Sequence, residues 1–160
     1  MVREKAWCKL AVSSFTAKNA ARILFLCTGN YYRSRFAEIL FNHLAQTAGL
    51  PHRADSAGLA PHCWERNPGP ISPHTLAALA ERHISSIAQR LPRDVAEAEF
   101  SVFTHVIAMK ETEHRPMMDA RFPTWAIHIS YWAFDDIEDQ PASVIIPKIE
   151  IRVRELLAEL

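Results

Sequence analysis

Arg22-Ile23-Leu24-Phe25-Leu26-Cys27-Thr28-Gly29-Asn30-Tyr31-Tyr32-Arg33-Ser34-Arg35-Phe36-Ala37-Glu38 opens as an unbroken apolar run from Ile23 to Leu26. Such a run reads as a strand buried on both faces. It turns through Gly29-Asn30, the residue types that most readily take positive φ. From Ser34 the spacing becomes helical, with Phe36, Leu40 and Leu44 on one face and Phe41 beside them. Strand, tight loop and helix together gather free backbone N–H groups at a helix N-terminus, where the dipole also favours an anion.

Cys27 ends the strand and Arg33 opens the helix. A thiol beside a guanidinium at a helix N-terminus is placed to act as a thiolate. The guanidinium can hold two phosphoryl oxygens at once. A buried strand-end Cys and a surface Arg could by themselves belong to an ordinary βα turn. Gly29, Asn30 and Ser34 in the same few residues favour an anion site with a nucleophile in it.

Cys27-Thr28-Gly29-Asn30-Tyr31-Tyr32-Arg33-Ser34 resembles the phosphate-binding loop of the low-molecular-weight protein tyrosine phosphatases, a family that includes thioredoxin-coupled arsenate reductases. The family pattern is Cys-x-Gly-Asn-x-Cys-Arg-Ser-Pro at the start of the first helix. This chain matches it at Cys27, Gly29, Asn30, Arg33 and Ser34, and departs at Tyr32 (usually Cys) and Arg35 (usually Pro). The resemblance implies a three-layer αβα, flavodoxin-like fold with a four-stranded parallel sheet in the order 2-1-3-4. It also implies Cys27 as nucleophile, Arg33 as phosphate clamp, and Thr28, Gly29, Asn30, Tyr31, Tyr32 and Ser34 as the phosphate-binding loop. Within that loop Ser34 should donate to the thiolate and Asn30 should brace the backbone. Arg35 is expected to add positive field at the mouth or to point to solvent.

Composition sets the bounds. At 160 residues, with 18 basic and 18 acidic side chains and 49% hydrophobic residues, the chain is long enough for one well-packed domain. Charge balance excludes the basic excess of a nucleic-acid binder, and no apolar run approaches a membrane span of about 20 residues. Cys8, Cys27 and Cys63 form no Cys-x-x-Cys pair, which fits a reducing cytoplasm better than a disulfide framework or a zinc site. The eight histidines include no i,i+4 pair, so neither a metal nor another cofactor is expected. Residues 1–20 read as a disordered or loosely docked extension, too polar over residues 12–17 for a signal-peptide core. Residues 21–160 read as the phosphatase-like domain.

The rest of the chain alternates. The first helix should run over residues 34–48 and stop at Gly49. Residues 53–58 read as a second strand, followed by a loop over residues 62–70. In the family a loop here walls the mouth of the site, so the resemblance makes Trp64 the substrate-facing rim; Cys63 is expected to be exposed. Ser72-Pro73 reads as the cap and first residue of a helix reaching His83. Residues 87–91 read as irregular, and residues 94–100 as a short helix capped by Asp94. A third strand is expected over residues 102–109, a helix over residues 111–121 and a fourth strand over residues 125–130. A closing helix carries Ile149, Val153 and Leu156. Glu113-His114-Arg115-Pro116 is polar and could border the site, but reads first as a solvated helix start.

Thiolate attack on a phosphate monoester needs an acid within reach of the leaving oxygen. The family supplies an Asp-Pro after the fourth strand, and Tyr131 to Asp139 is the matching segment. Asp136 is the expected acid, with Ile137 in the Pro position; Asp135 is the second choice. The resemblance thus implies hydrolysis of phosphotyrosine or related aryl phosphates, as free esters or on a protein, through a cysteinyl-phosphate. Two alternatives stand beside it: arsenate reduction with an external thiol, and a catalytically weak phosphate-binding module.

Overall fold

The computed structural model describes residues 19–85 and 90–160. The extension expected over residues 1–20 lies outside them except for its last two residues, as does most of the irregular segment 87–91. The elements run β1 (Arg22–Cys27), α1 (Arg33–Thr47), β2 (Arg53–Gly58), the one-turn α2 (Cys63–Arg66), α3 (Pro73–Glu81), a 3-10 helix (Glu97–Ser101), β3 (His105–Ala108), α4 (Glu111–Arg121), β4 (Ser130–Tyr131) and α5 (Ala142–Glu159). The sheet is parallel throughout, in the order β2-β1-β3-β4. Three crossovers join the four parallel strands, so the loops after β1, β3 and β4 all leave from the same edge, the usual place for a site in such sheets.

β1 carries the core on both faces, as its apolar run requires. Ile23 and Phe25 pack with Phe36, Leu40 and Phe41 of α1 and Ile145, Ile149 and Val153 of α5. Leu24 and Leu26 pack on the other side with Phe100, Met118 and Phe122. All four strand residues are fully buried, so α1 and α5 form one outer layer, and the 3-10 helix and α4 the other. α3 starts as expected, with the Ser72 hydroxyl accepting from the His74 N–H at 3.2 Å and Pro73 in the first turn.

Three elements differ from the sequence reading. β3 is shorter, because Thr104 closes a turn on the start of β1: its N–H donates to Arg22 O (2.9 Å) and its hydroxyl accepts from Arg22 N–H (2.9 Å). β4 is two residues at Ser130–Tyr131, not residues 125–130. Trp125 and Ala126 bond back to Phe122 O (2.9 and 3.1 Å), and Trp125 stacks on Phe100 with ring centres 5.6 Å apart. The apolar signal there serves packing of a turn. Asp94 caps a different helix from the expected one: its carboxylate accepts from the N–H groups of His62 and Cys63, both at 2.8 Å, at the start of α2.

Candidate active site

The loop from Cys27 to Arg33 lies between the end of β1 and the start of α1, so α1's first free N–H groups face into it. Cys27 Sγ is 2.9 Å from Ser34 Oγ. Asn30 sits at φ 51° and is wholly buried. Its Nδ2 donates to Ser34 Oγ (3.1 Å) and Ser56 Oγ (2.8 Å), and its Oδ1 accepts from Arg90 Nη1 (2.9 Å) and Arg93 N (3.1 Å). The side-chain amide therefore ties the loop to β2 and to the segment before the 3-10 helix, which holds a left-handed residue in place.

Arg33 is 1% exposed, and carboxylates surround its guanidinium. Nη1 donates to Glu113 Oε2 (3.0 Å) and Phe134 O (2.9 Å); Nη2 donates to Glu113 Oε1 and Asp136 Oδ2, both at 2.8 Å. Asp135 turns away and pairs with Lys110 Nζ at 2.7 Å. Thus Asp136 joins Arg33 beside the Cys27 loop, while Asp135 is engaged by Lys110 instead. Tyr32 is 6% exposed, and burial, reinforced by Asp136, pushes its phenol up to about 12. Tyr31 donates its hydroxyl to Pro68 O at 3.0 Å.

Glu113 and His114 border this loop, the second of the two readings, and the solvated helix start expected first is corrected. His114 is fully buried at the start of α4. The Glu113 carboxylate accepts from Thr28 Oγ1 at 2.6 Å as well as from Arg33. Burial works to raise its pKa, but hydrogen bonds from His114, Arg33 and Thr28 outweigh burial and hold it well below the usual carboxylate range. Burial pushes the His114 imidazole down. The sequence signal was position alone: both residues follow β3 at the strand end where sites gather.

Arg35 is also corrected: it is 1% exposed, donates Nη1 to Arg90 O at 3.1 Å and lies 3.6 Å from Glu38, so it neither faces the mouth nor solvent. Cys63, expected to be exposed, is wholly buried under the loop. Its thiol donates to Ala60 O (3.0 Å) and Thr28 O (3.5 Å), and burial with the help of Asp94 pushes it up to about 12. One residue on, Trp64 is 54% exposed. Asn67 ties α2 to the Cys27–Arg33 loop through Nδ2 to Gly29 O at 3.3 Å.

Comparison with known proteins agrees with this geometry. Residues 22–131 match the family model described as "Low molecular weight phosphotyrosine protein phosphatase". A curated relative of that description from Dictyostelium discoideum is 30% identical over 109 residues, 62% of this chain and 61% of the relative. A "Protein-arginine-phosphatase" from Bacillus subtilis (strain 168) is 41% identical over 63 residues, 39% of each chain. The chain thus spans about three fifths and two fifths of these relatives. The crystal structure of YfkJ from Bacillus subtilis superposes with a TM-score of 0.76 at 25% identity, covering 88% of this chain and 94% of that one. A match over residues 22–131, which hold all four strands, the Cys27–Arg33 loop and the three crossovers between the strands, places this chain in the low molecular weight phosphotyrosine protein phosphatase family.

Proposed function

We propose that this protein hydrolyses phosphate monoesters, aryl phosphates such as phosphotyrosine among them, through a cysteinyl-phosphate. The observation that carries the reading is the convergence on one loop of Cys27 Sγ, the Ser34 hydroxyl at 2.9 Å and an Arg33 guanidinium shared with Asp136. In the first step the Cys27 thiolate attacks phosphorus, the S–P bond forms and the P–O bond to the leaving group breaks. Asp136, protonated, gives its proton to that oxygen. In the second step water attacks phosphorus, its proton goes to the Asp136 carboxylate, and the S–P bond breaks. The Ser34 hydroxyl donates to the returning thiolate. Arg33 and the N–H groups of residues 28–34 stabilise the equatorial oxygens, where the transition-state charge lies. Trp64, exposed on α2, forms the rim against which an aryl group packs.

Cys27→Ser should abolish para-nitrophenyl phosphate hydrolysis while leaving the thermal unfolding transition in place; retained turnover would refute the nucleophile. Arsenate reduction through a second described thiol of this chain has less support, because Cys63 is buried with its pKa pushed up to about 12, a poor partner for passing on a disulfide. Arsenate-dependent oxidation of an added thiol tests the external-thiol route. A non-catalytic phosphate binder would bind vanadate without turning over an activated ester. The unpaired thiols of Cys27 and Cys63 support a reducing cytoplasm.

A second substrate class has one observation in its favour. Glu113 and Asp136 set two carboxylates against one guanidinium at the base of the site. A phosphoguanidinium substrate brings its own positive charge to such a pair, and a relative is described as a protein-arginine-phosphatase. Relative kcat/KM for phosphotyrosine and phosphoarginine peptides decides between the two.

A further inference from the structure

The proposed reaction relies on how the Arg33 guanidinium is presented. A guanidinium offers paired donors in two places: the end between Nη1 and Nη2, and the side between Nε and Nη2. Glu113 fills the end, with Oε2 at 3.0 Å from Nη1 and Oε1 at 2.8 Å from Nη2. Phe134 O takes the other Nη1 hydrogen and Asp136 Oδ2 the other Nη2 hydrogen. Among the described residues, every hydrogen bond from the Arg33 guanidinium leaves from Nη1 or Nη2 and none from Nε.

Glu113 is itself held. Thr28 Oγ1 donates to Oε1 at 2.6 Å. The Lys110 N–H donates to His114 Nδ1 at 2.9 Å, so the ring proton sits on Nε2. From there it faces Glu113 Oε1 at 3.3 Å and Thr28 Oγ1 at 3.2 Å. Thr28 adjoins the nucleophile, and Lys110 and His114 belong to the start of α4. The carboxylate therefore joins the phosphate loop to a second element that arrives 80 residues later.

We propose that Glu113 is a positioning residue for catalysis: by occupying the Nη1–Nη2 end of Arg33 it presents the Nε–Nη2 side to the phosphoryl group, which displaces Asp136 on binding. The proposal deepens the phosphatase reading and rests on it. Asp136, once displaced, is free to meet the leaving oxygen. An ion pair that served only to hold α4 on the loop would stabilise the fold without regard to what Arg33 does.

The test uses kcat and KM for para-nitrophenyl phosphate, and Ki for inorganic phosphate, in the wild type, Glu113→Gln, Thr28→Val, Arg33→Lys and the Arg33→Lys/Glu113→Gln double variant. Gln keeps the shape but puts an NH2 donor against a guanidinium donor. Glu113→Gln should lower kcat/KM about a hundredfold and raise the phosphate Ki about tenfold, the range seen when a transition-state donor is misplaced. In the Arg33→Lys background, where no two-point contact exists, the same change should cost less than about twofold. Thr28→Val should move both constants in the same direction by less. An equal loss in both backgrounds, or a Glu113→Gln enzyme with wild-type constants, would overturn the proposal. If Glu113→Gln does not fold, Thr28→Val decides: a raised phosphate Ki supports it and an unchanged one overturns it. A wild type that hydrolyses no phosphoester defeats the phosphatase reading instead. Phosphate affinity by calorimetry then still judges Glu113, with equal affinity in Glu113→Gln and wild type overturning its role.

Discussion

Asp135 and Asp136 are neighbours in the chain, yet their carboxylates pair with different cations. Asp136 Oδ2 lies 2.8 Å from Arg33 Nη2, while Asp135 Oδ1 lies 2.7 Å from Lys110 Nζ. Lys110 also reaches Asp139 at 3.3 Å, and Phe134 N–H donates to Met109 O at 2.9 Å. The loop is fastened to the start of α4 by these contacts, and Asp136 is left to Arg33.

The two aspartates should separate in kinetics. Asp136→Asn should lower kcat for phenyl phosphate about 10²- to 10³-fold, the usual worth of a positioned acid, and lower the phosphate Ki because a competing anion is gone. Asp135→Asn and Lys110→Met should each reduce kcat less than about tenfold, through a looser loop. Leaving-group dependence of kcat checks this: it steepens in Asp136→Asn alone.

Cys63 should be chemically silent in the folded protein. Its thiol is buried beneath Thr28 with its pKa pushed up to about 12, so little thiolate exists at neutral pH. Mass mapping after brief iodoacetamide treatment should find Cys27 modified and Cys63 unmodified until denaturant is added.

Gly58 has no room for a side chain. A Cβ there would overlap Cys63 Sγ and lie 2.9 Å from Thr28 O. Gly58→Ala should cost about 1–3 kcal/mol from overpacking and displace the loop. A lowered Tm together with a raised KM is the expected pair of results.

Acid should weaken the link between Glu113 and Arg33. The folded pKa of Glu113 is below its unfolded value, so its contribution is complete above the ordinary carboxylate value, about 4.3, and is lost as pH falls below it. Tm should fall between about pH 5 and pH 3, and the slope should flatten in Glu113→Gln.

Glu38 has the opposite sign. Burial raises its pKa against the pull of Arg90, whose Nη2 lies 3.0 Å away. Ionised Glu38 therefore costs stability at neutral pH, a cost that disappears as pH falls through its folded pKa and then the ordinary range. Arg90→Met leaves that charge poorly compensated and should cost about 3 kcal/mol at pH 7. The deficit should shrink on mild acidification, as urea melts at pH 7 and pH 5 would show.

Legibility followed sequence distance. The strand–loop–helix at residues 22–47 could be read because its signals lie within a few residues of one another: the apolar run, Gly29-Asn30, then helical spacing. Ser72-Pro73 could be read for the same reason. Residues 125–130 misled because an apolar turn packed on Phe100 has the composition of a strand. Arg35 misled because a guanidinium is expected in water, and its burial beside Glu38 and Arg90 O depends on residues up to 55 positions away.

By itself, the sequence determined the strand, loop and helix in which the thiol of Cys27 lies and that a parallel sheet carries them, since those follow from backbone preference and local periodicity. The tertiary structure decided what surrounds that thiol. Glu113 meets Arg33 across 80 residues, Arg90 meets Asn30 across 60, and Asp94 caps a helix that starts 31 residues before it. Charged side chains find their partners through space once the crossovers have brought strand ends together, and no local pattern of residues records which partner that will be.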